Sequence, residues 1–525
     1  MKSIIISLIL LLILVPAHTN EEGFISVLIS NKGLDFVKDV LINNAISSII
    51  PLQLPPIEKT VKIPVIGKVH FNLSNLTIYS VDIGSSYVET GDTGVVLVAS
   101  GATAHMSVNW SYSYHALFID IQDHGTAAIE VEDMQIGVTV ALEDQEGTLR
   151  LNVLDSGCNV EGISVKLDGG ASWLYQVVID AFGGTIRSKV EDNIPPKITE
   201  GMIKLDSLLQ SLPKQITVND IVVMNVTFVG SPVLSNSSIE LEINGLFSAT
   251  DDLVSNVHPK ELSEQFSCNP YAKMVEISLH ENVFNSLSSV LFDENYMHWI
   301  VDKVPDQSLL NTSKWRYIVP QLYKQYPDDY MDLNITVSSP PTIKVVNDGI
   351  DVTIYLDVTV DVLDADEVIP VVCLSLEISA SCTPDISGRK LVGSLELEQF
   401  TALLKWSKIG NIHMNIIQCV PITSSSLVTF PVTTSTKSCY SFHPAVINVF
   451  KSIYKLQPAM SVVLKTVIFP YVNLKLWQGI PLPLLHGFTL HNADIFCADS
   501  RVVICSDAAY AAQLSSFGSY LALSK

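Results

Sequence analysis

Between Ile29 and Pro55, ISNKGLDFVKDVLINNAISSIIPLQLP, the hydrophobic period changes: a short strand gives way to an amphipathic helix that stops at Pro51. Leu34, Val37, Leu41, Ala45 and Ile49 recur at helical spacing, and Phe36, Val40, Ile42, Ile46 and Ile50 widen that face to a narrow polar remainder. Such a helix calls for cover on most sides. In the second half of the chain ISLHENVFNSLSSVLF repeats the pattern, with Phe284, Leu287, Val290 and Leu291 in the places of Leu34, Val37, Val40 and Leu41. The pattern predicts one unit written twice.

After Pro55 and Pro56 the period falls to two. From Val61 to Leu167 alternating runs are separated by turn signals: Ile136, Val138, Val140 and Leu142 lead into the turn EDQEG, and Leu149, Leu151 and Val153 return. With no helix between them, such runs predict a large antiparallel meander curled about one apolar face. Helical spacing resumes over ASWLYQVVIDAFGGTIRSKV and ITEGMIKLDSLLQSLP, where Pro195 and Pro196 are expected to kink or split the helix. LPKQITVNDIVVMNVTF adds a strand to the first half, and FVGSPVLSNSS reads as a linker. The second half repeats the order through the uninterrupted alternation IDVTIYLDVTVDV, Ile350 to Val362, whose Asp351, Asp357 and Asp361 fall on its polar face. With Asp364, Asp366 and Glu367 nearby a calcium site is open, but the spacing matches no cation-wrapping loop, and a solvated strand face is the expectation. Cys419 to Gln457, with TSSSLVTFPVTTSTKSCYSF, interrupts the repeat as an insertion, either a long surface loop or an error of gene prediction.

The chain's 525 residues exceed one core and suit two domains of roughly 200 to 250 residues. Hydrophobic residues make up 48% and charged residues 16%, so some apolar surface is expected to face something other than protein core. Residues 1–19 read as a secretory signal peptide, with Lys2, an apolar run Ser3 to Val15, then Pro16 and Ala17. That run is too short to span a bilayer, which predicts a soluble, secreted product. Sequons at Asn72, Asn75, Asn109, Asn225, Asn236, Asn311 and Asn334 are candidate glycosylation sites. Among eight cysteines, Cys497 with Cys505 and Cys373 with Cys382 are close enough in sequence to bridge hairpins. A net charge of -23 excludes a nucleic-acid partner. Charge is also uneven: Val69 to Leu149 holds eleven acidic and no basic residues, Gln399 to Ala493 seven lysines and no acid. The second half is therefore the better candidate for approaching an anionic membrane surface.

Catalytic signatures are missing: no G-x-S-x-G elbow, no phosphate-binding glycine loop, no C-x-x-C pair. His280-Glu281 opens a zincin-like string, but HENVF lacks the second histidine, and the twelve histidines show no ligand spacing. No catalytic residue, metal or cofactor is assigned. Binding remains: an over-wide apolar helix laid on a curled sheet can leave a gap that aliphatic chains fill, at about 0.8 kcal/mol per buried methylene. The alternative is that the same faces close a dry core.

ISNKGLDFV, VHFNLSNLTIYSVDI, SWLYQ, YPDDYMDLNITVSSPP, GRKLVGSLELEQF and FPYVNLKLWQGIPLP, in that order over nearly the whole mature chain, resemble the bactericidal permeability-increasing and lipopolysaccharide-binding protein family, which also includes lipid-transfer proteins. GGASWLYQ, SLLQSLPK and LPLLHGFTLHNA look closest to its plant branch. The resemblance implies an α+β boomerang: two domains, each a twisted antiparallel barrel with two helices, joined by a central sheet. The expected divisions are 20–228, a linker and central-sheet strand at 229–248, a second domain at 249–510 with the insertion at 419–457, and a tail at 511–525. The resemblance also implies a monomer with a phospholipid held in an apolar pocket of each domain. Leu34, Val37, Leu41, Ile49 and Trp173 are the expected contacts in the first pocket, and Phe284, Leu287 and Leu291 in the second. Lipopolysaccharide would be met at the first domain's tip, where this chain offers Lys59, Lys62, Lys68 and Trp110. Two departures accompany the resemblance. The animal disulfide partner of the cysteine matched by Cys158 is replaced by the neighbourhood of Ile194, Pro195 and Pro196, and the basic residues of the family's tip are few. The competing functions are a housekeeping phospholipid carrier and, against the missing elbow, a lipid-acting hydrolase.

Overall fold

In a computed structural model the described residues are 23–510, except 65, 92–93, 117–118, 169–172, 251–267, 269–272, 305, 348, 366, 411–416, 420–459, 485–486 and 499. The signal-peptide segment 1–19, the tail 511–525 and the proposed insertion beyond Cys419 lie outside them. The fold is α+β with two compact, sheet-rich units.

The first unit draws on Met1–Lys214, Thr227–Asn244 and Ser267–Glu276. Strand β1 (Ile25–Ser30) passes into helix α1 (Asn31–Ile49), where Ser30 accepts the Gly33 N–H at 3.3 Å as N-cap. The meander follows as β2 (Leu52–Leu54), β3 (Ile57–Ile63), β4 (Gly67–Asp82), β5 (Ser85–Gly91), β6 (Gly94–Ala116), β7 (Ile119–Gln145) and β8 (Thr148–Asp168). Its sheet runs β2-β4-β6-β7-β8, with β3 also on β4 and β5 on β6, all antiparallel. Alternation sorts the faces as the sequence predicts: Ala102, Ala104, Met106, Val108, Trp110 and Tyr112 of β6 turn inward and are buried.

Among the described strands the expected barrel does not close. Its last strand, β8, is covered instead by α2 (Trp173–Gln210), whose acidic side chains take strand donors: Glu191 accepts the Val160 N–H at 2.9 Å and Asp206 the Leu151 N–H at 2.7 Å. These two bonds occupy edge donors that would otherwise be open to strand pairing. Nor do Pro195 and Pro196 split α2, which continues through both. Neighbouring Ile194 is buried in the sheet's core with Phe182, Ile186 and Val190, and packing outweighs the lost helix hydrogen bonds.

Strands β9 (Gln215–Thr217) and β10 (Val222–Asn225), read as closing the first half, belong to the second unit, where β10 pairs with β13 (Phe247–Ala249). The intervening β11 (Val233–Ser235) and β12 (Ser238–Ile243) return to the first unit, β12 pairing with β1 from Ile25↔Ile243 to Ser30↔Ser238. The segment expected as a linker is thus partly sheet.

Strand β14 (Val275–His280), which enters the second unit at Ile277, leads there into α3 (Glu281–Asp293) and β15 (His298–Val301), and two short helices follow, α4 (Thr312–Trp315) and α5 (Pro320–Gln325). The sheet then adds β16 (Tyr330–Val337), β17 (Thr342–Val346), β18 (Gly349–Asp364), β19 (Glu367–Ser387), β20 (Lys390–Ser407) and β21 (Ile417–Cys419), ordered β15-β16-β18-β19-β20-β21. Helix α6 occupies 460–476, with a π turn at Leu464–Ile468, and β22 (Ile480–Pro481), β23 (Phe488–Ala498) and β24 (Arg501–Tyr510) end the described chain. Asp361 of β18 is not on a solvated face: it is 7% exposed and stands opposite Asp332 of β16.

Neither cysteine pair expected to bridge a hairpin does so. Cys373 and Cys382 are both free and lie nine positions apart on the single strand β19, about 30 Å at strand rise. Cys497 is free too; on the β23–β24 hairpin it faces Val502, whereas Cys505 faces Asp494. Cys505 is disulfide-bonded, as is Cys268.

Candidate functional site

Gly33 lets the start of α1 press onto backbone. A Cβ there would lie 2.3 Å from the Met274 carbonyl oxygen, and the Ser30 hydroxyl donates to the neighbouring Lys273 carbonyl at 2.7 Å. One turn on, Lys38 is buried within the helix's otherwise apolar flank. Its ammonium donates to the Ser86 carbonyl of β5 at 3.1 Å and lies 3.3 Å from Asp35 and 3.2 Å from Asp39. Lys38 therefore ties α1 to the meander by a charged hydrogen bond. Helical periodicity alone carries no information about a strand packed across a lysine.

The rest of α1 is covered only in part. Leu34 is buried with Val95, Val138, Val140, Leu151 and Ile239, but Val37, Val40, Leu41, Ile42, Ala45 and Ile46 are all half-buried. Ile49 packs instead at the margin of the main sheet core, around Leu52, Leu76 and Ile78. Around Leu34 the seam continues through half-buried Val88, Leu97, Leu142 and Val153, and through Met202 and Leu205 of α2. The structure thus brings Leu34 to an apolar seam among α1, α2 and β5–β8, places Val37 and Leu41 on the uncovered part of the helix, and sets Ile49 apart. Trp173 opens α2, and its side chain lies outside the described residues.

The corresponding helix of the second unit is fixed by polar side chains. Asn285 donates to the Ile343 carbonyl and accepts the Ile343 N–H, both at 2.8 Å, while Ser288 donates to the Pro341 carbonyl at 2.7 Å. Phe284 packs against the unit's core; Leu287 and Leu291 are half-buried. A 260 Å³ cleft lies elsewhere in this unit, between β15 and α6, lined by Trp299, Ile300, Val467, Ile468, Tyr471 and Val472 together with Val301, Asp302, Lys303 and Ile335. In the first unit a 480 Å³ depression sits where the ring-bearing turn of α2 meets β8, lined by Ser156, Pro195, Pro196, Thr199, Glu200, Ile203 and Lys204. Neither hollow is lined by the helix residues singled out from sequence. Lys197 and Lys204, hydrogen-bonded to Glu200, hold its carboxyl down to about 2.

Of the residues expected at a headgroup-binding tip, Trp110 is buried. It is 4% exposed, donates its indole N–H to the Thr126 carbonyl at 3.0 Å and stacks on Tyr112 in the core. Its inward register alternates with exposed Asn109, a signal the sequence does contain. Lys59 donates to the Ala181 carbonyl of α2 at 2.6 Å, with its ammonium 5.8 Å from the Phe182 ring. Lys62 and Lys68 are exposed and stand directly opposite each other on β3 and β4. Among the sequons, Asn75, Asn109 and Asn236 are exposed, Asn72, Asn311 and Asn334 half-buried, and Asn225 is 8% exposed, which closes its side chain to a glycan in the folded strand.

Patterns of the LBP / BPI / CETP family match the chain in succession, the N-terminal domain over residues 33–212 and the C-terminal domain over 217–431. The chain belongs to this family. A putative BPI/LBP family protein of Arabidopsis thaliana is 45% identical over 500 residues, 94% of each chain. The phospholipid transfer protein of Mus musculus is 20% identical over 430 residues, 80% of this chain and 78% of its own. The crystal structure of a lipopolysaccharide binding protein superposes with a TM-score of 0.60 at 19% identity, covering 93% of this chain and 99% of that one. The LBP / BPI / CETP fold is therefore present in both units, with no closed barrel among the described strands. No helix among the described residues is long and apolar enough to cross a membrane.

Proposed function

We propose that this chain is a secreted, non-enzymatic lipid carrier that holds the acyl chains of a phospholipid against the uncovered face of α1. The observation that carries this reading is the helix itself: six consecutive members of its apolar face, from Val37 to Ile46, are half-buried although the seam beside them is apolar. A dry core would bury those side chains, each contributing about 1.5–3 kcal/mol, whereas a lipid chain would complete the burial. Its membership beside a phospholipid transfer protein supports the same class of ligand. Native mass spectrometry of the purified protein is expected to show co-purified phospholipid, and to show less of it in Leu41→Asp. Protein free of lipid under gentle ionisation would refute the reading.

A second reading, recognition of lipopolysaccharide, is favoured by Lys62 and Lys68. Like charges directly opposite on paired strands repel, and a lipid phosphate between them would relieve the repulsion. Binding to lipid A that is unchanged in the Lys62→Ala, Lys68→Ala double variant would remove this role for the pair.

A further inference from the structure

Helix α6 of the second unit has one face that the unit's core does not use. Met460, Val463, Leu464, Ile468 and Phe469 are buried. On the other side Val462, Lys465, Tyr471, Leu474, Lys475 and, just beyond the helix, Trp477 are exposed. Leu474 is 67% and Trp477 61% exposed, and with Tyr471 they follow one another at helical spacing. Single exposed apolar residues are ordinary, but a row of aromatic and aliphatic side chains along one helix marks an interaction surface. β15 extends the row: Ile300 is 61% exposed, and Trp299 meets the Tyr471 ring edge-on at 5.8 Å.

The charge on this face has one sign. The helix lies within the stretch from Gln399 to Ala493 that holds no Asp or Glu, so its charges are Lys465 and Lys475, the latter 5.7 Å from the Tyr471 ring centroid. Asp302, in the adjoining cleft, is accompanied by Lys303. Tryptophan and tyrosine beside leucine, flanked by lysines whose stems reach outward, are the side chains that sit at the boundary of headgroups and acyl chains. Two copies of the same face would bring four lysines together, which disfavours self-association through it.

We propose that this face of α6 docks the second unit on the surface of an anionic phospholipid bilayer, with Leu474 and Trp477 entering the acyl boundary and Lys465 and Lys475 meeting lipid phosphates. The docking uses neither α1 nor the seam beside it, so it stands apart from the carrier function.

The test is co-sedimentation of the full chain with phosphatidylcholine vesicles, with and without phosphatidylserine. Wild type is expected to bind the anionic vesicles more strongly, with binding that falls as salt rises. Leu474→Ser with Trp477→Ser is expected to lower the partition coefficient on the order of tenfold. Lys465→Ala and Lys475→Ala are expected to lower it about fivefold each at low salt. Ile119→Ser, at a residue equally exposed in the first unit, is expected to leave it unchanged. All five substitutions are at exposed side chains, and far-ultraviolet circular dichroism checks that the fold persists. Wild-type partitioning by the Leu474, Trp477 variant overturns the proposal, as does equal binding to neutral vesicles. Sedimentation velocity showing a dimer that this variant dissolves overturns it as well, because a second copy would then be the occupant. Co-purified lipid, measured on the same samples, reports on the carrier function separately: its retention in a variant that no longer sediments separates the two surfaces.

Discussion

Replacing Gly33 by alanine tests how α1 is seated, because two effects of the same substitution have opposite signs. In an open helix position alanine is favoured over glycine by roughly 0.5–1 kcal/mol, through backbone entropy. At Gly33, however, the new Cβ would sit 2.3 Å from the Met274 carbonyl oxygen and 2.9 Å from Cγ2 of Ile29. The first is a backbone atom and cannot rotate away, so α1 or the 273–274 segment must shift by several tenths of an ångström. Overpacking of this kind costs about 1–3 kcal/mol. The net expectation is destabilisation by about 1–2 kcal/mol, or a melting temperature about 2–8 °C lower for a unit of this size. Gly201→Ala is the internal reference: that glycine is also helical, with nothing within 4 Å of its Cβ position, and the change should stabilise by the full propensity gain. Differential scanning calorimetry of the full chain, with the first unit's transition assigned by tryptophan emission, measures both. If Gly33→Ala stabilises as Gly201→Ala does, α1 is not pressed against the 273–274 backbone, and the seating described above is wrong.

Two further outcomes follow from buried ionisable groups. Burial, then the Glu191 charge, push the Cys158 thiol up to about 12 from 9.0, so its contribution to stability is complete below pH 9 and lost as pH rises toward 12; alkylation by iodoacetamide at pH 8 should be far slower for the native protein than for the urea-unfolded one, and equal rates would show the thiol exposed. Burial, then Asp332 directly opposite, raise the Asp361 carboxyl, and its Oδ1 is buried without a hydrogen-bond partner; a raised carboxyl favours folding at low pH and opposes it as pH rises, so Asp361→Asn should stabilise by about 1 kcal/mol at pH 7 and by less at pH 3, and chemical denaturation showing a loss at pH 7 would refute this.

Much of the fold was legible because it rests on periodicity. The switch at Asn31 from period two to helical spacing, the copy at Phe284 to Leu291 and the alternation through β6, β7 and β18 all follow from burying one face. What was not legible depends on which distant segment covers which face. Pro195 and Pro196 predict a break when read locally, yet Phe182, Ile186, Val190 and Ile194 hold the same helix on the sheet through them. Cysteine spacing suggested hairpins, but β19 is a single long strand and the β23–β24 register sets Cys497 against Val502. Trp110 was offered for the tip by the family resemblance alone, although alternation with Val108 and Tyr112 already pointed it inward. For the candidate site, the sequence showed that α1 is apolar over too wide an arc. It could not show that Lys38 lies under cover, that Ile49 belongs to a different core from Leu34, or that the concave spaces lie beside α2 and α6.

The pairing of β1 with β12 bears on how the chain is made. Gly23, just before β1, donates its N–H to the Glu242 carboxylate of β12, 219 residues later. At a synthesis rate of roughly 5–20 residues per second, β1 waits about 10–45 s for its neighbour to be made. Through that interval Val27, Leu28 and Ile29 are an apolar strand with free hydrogen-bonding groups, next to a helix whose own apolar face also lacks cover. The chain's most exposed moment is therefore early in translation, and its yield should depend on chaperones that shield extended apolar segments rather than on the stability of the finished units.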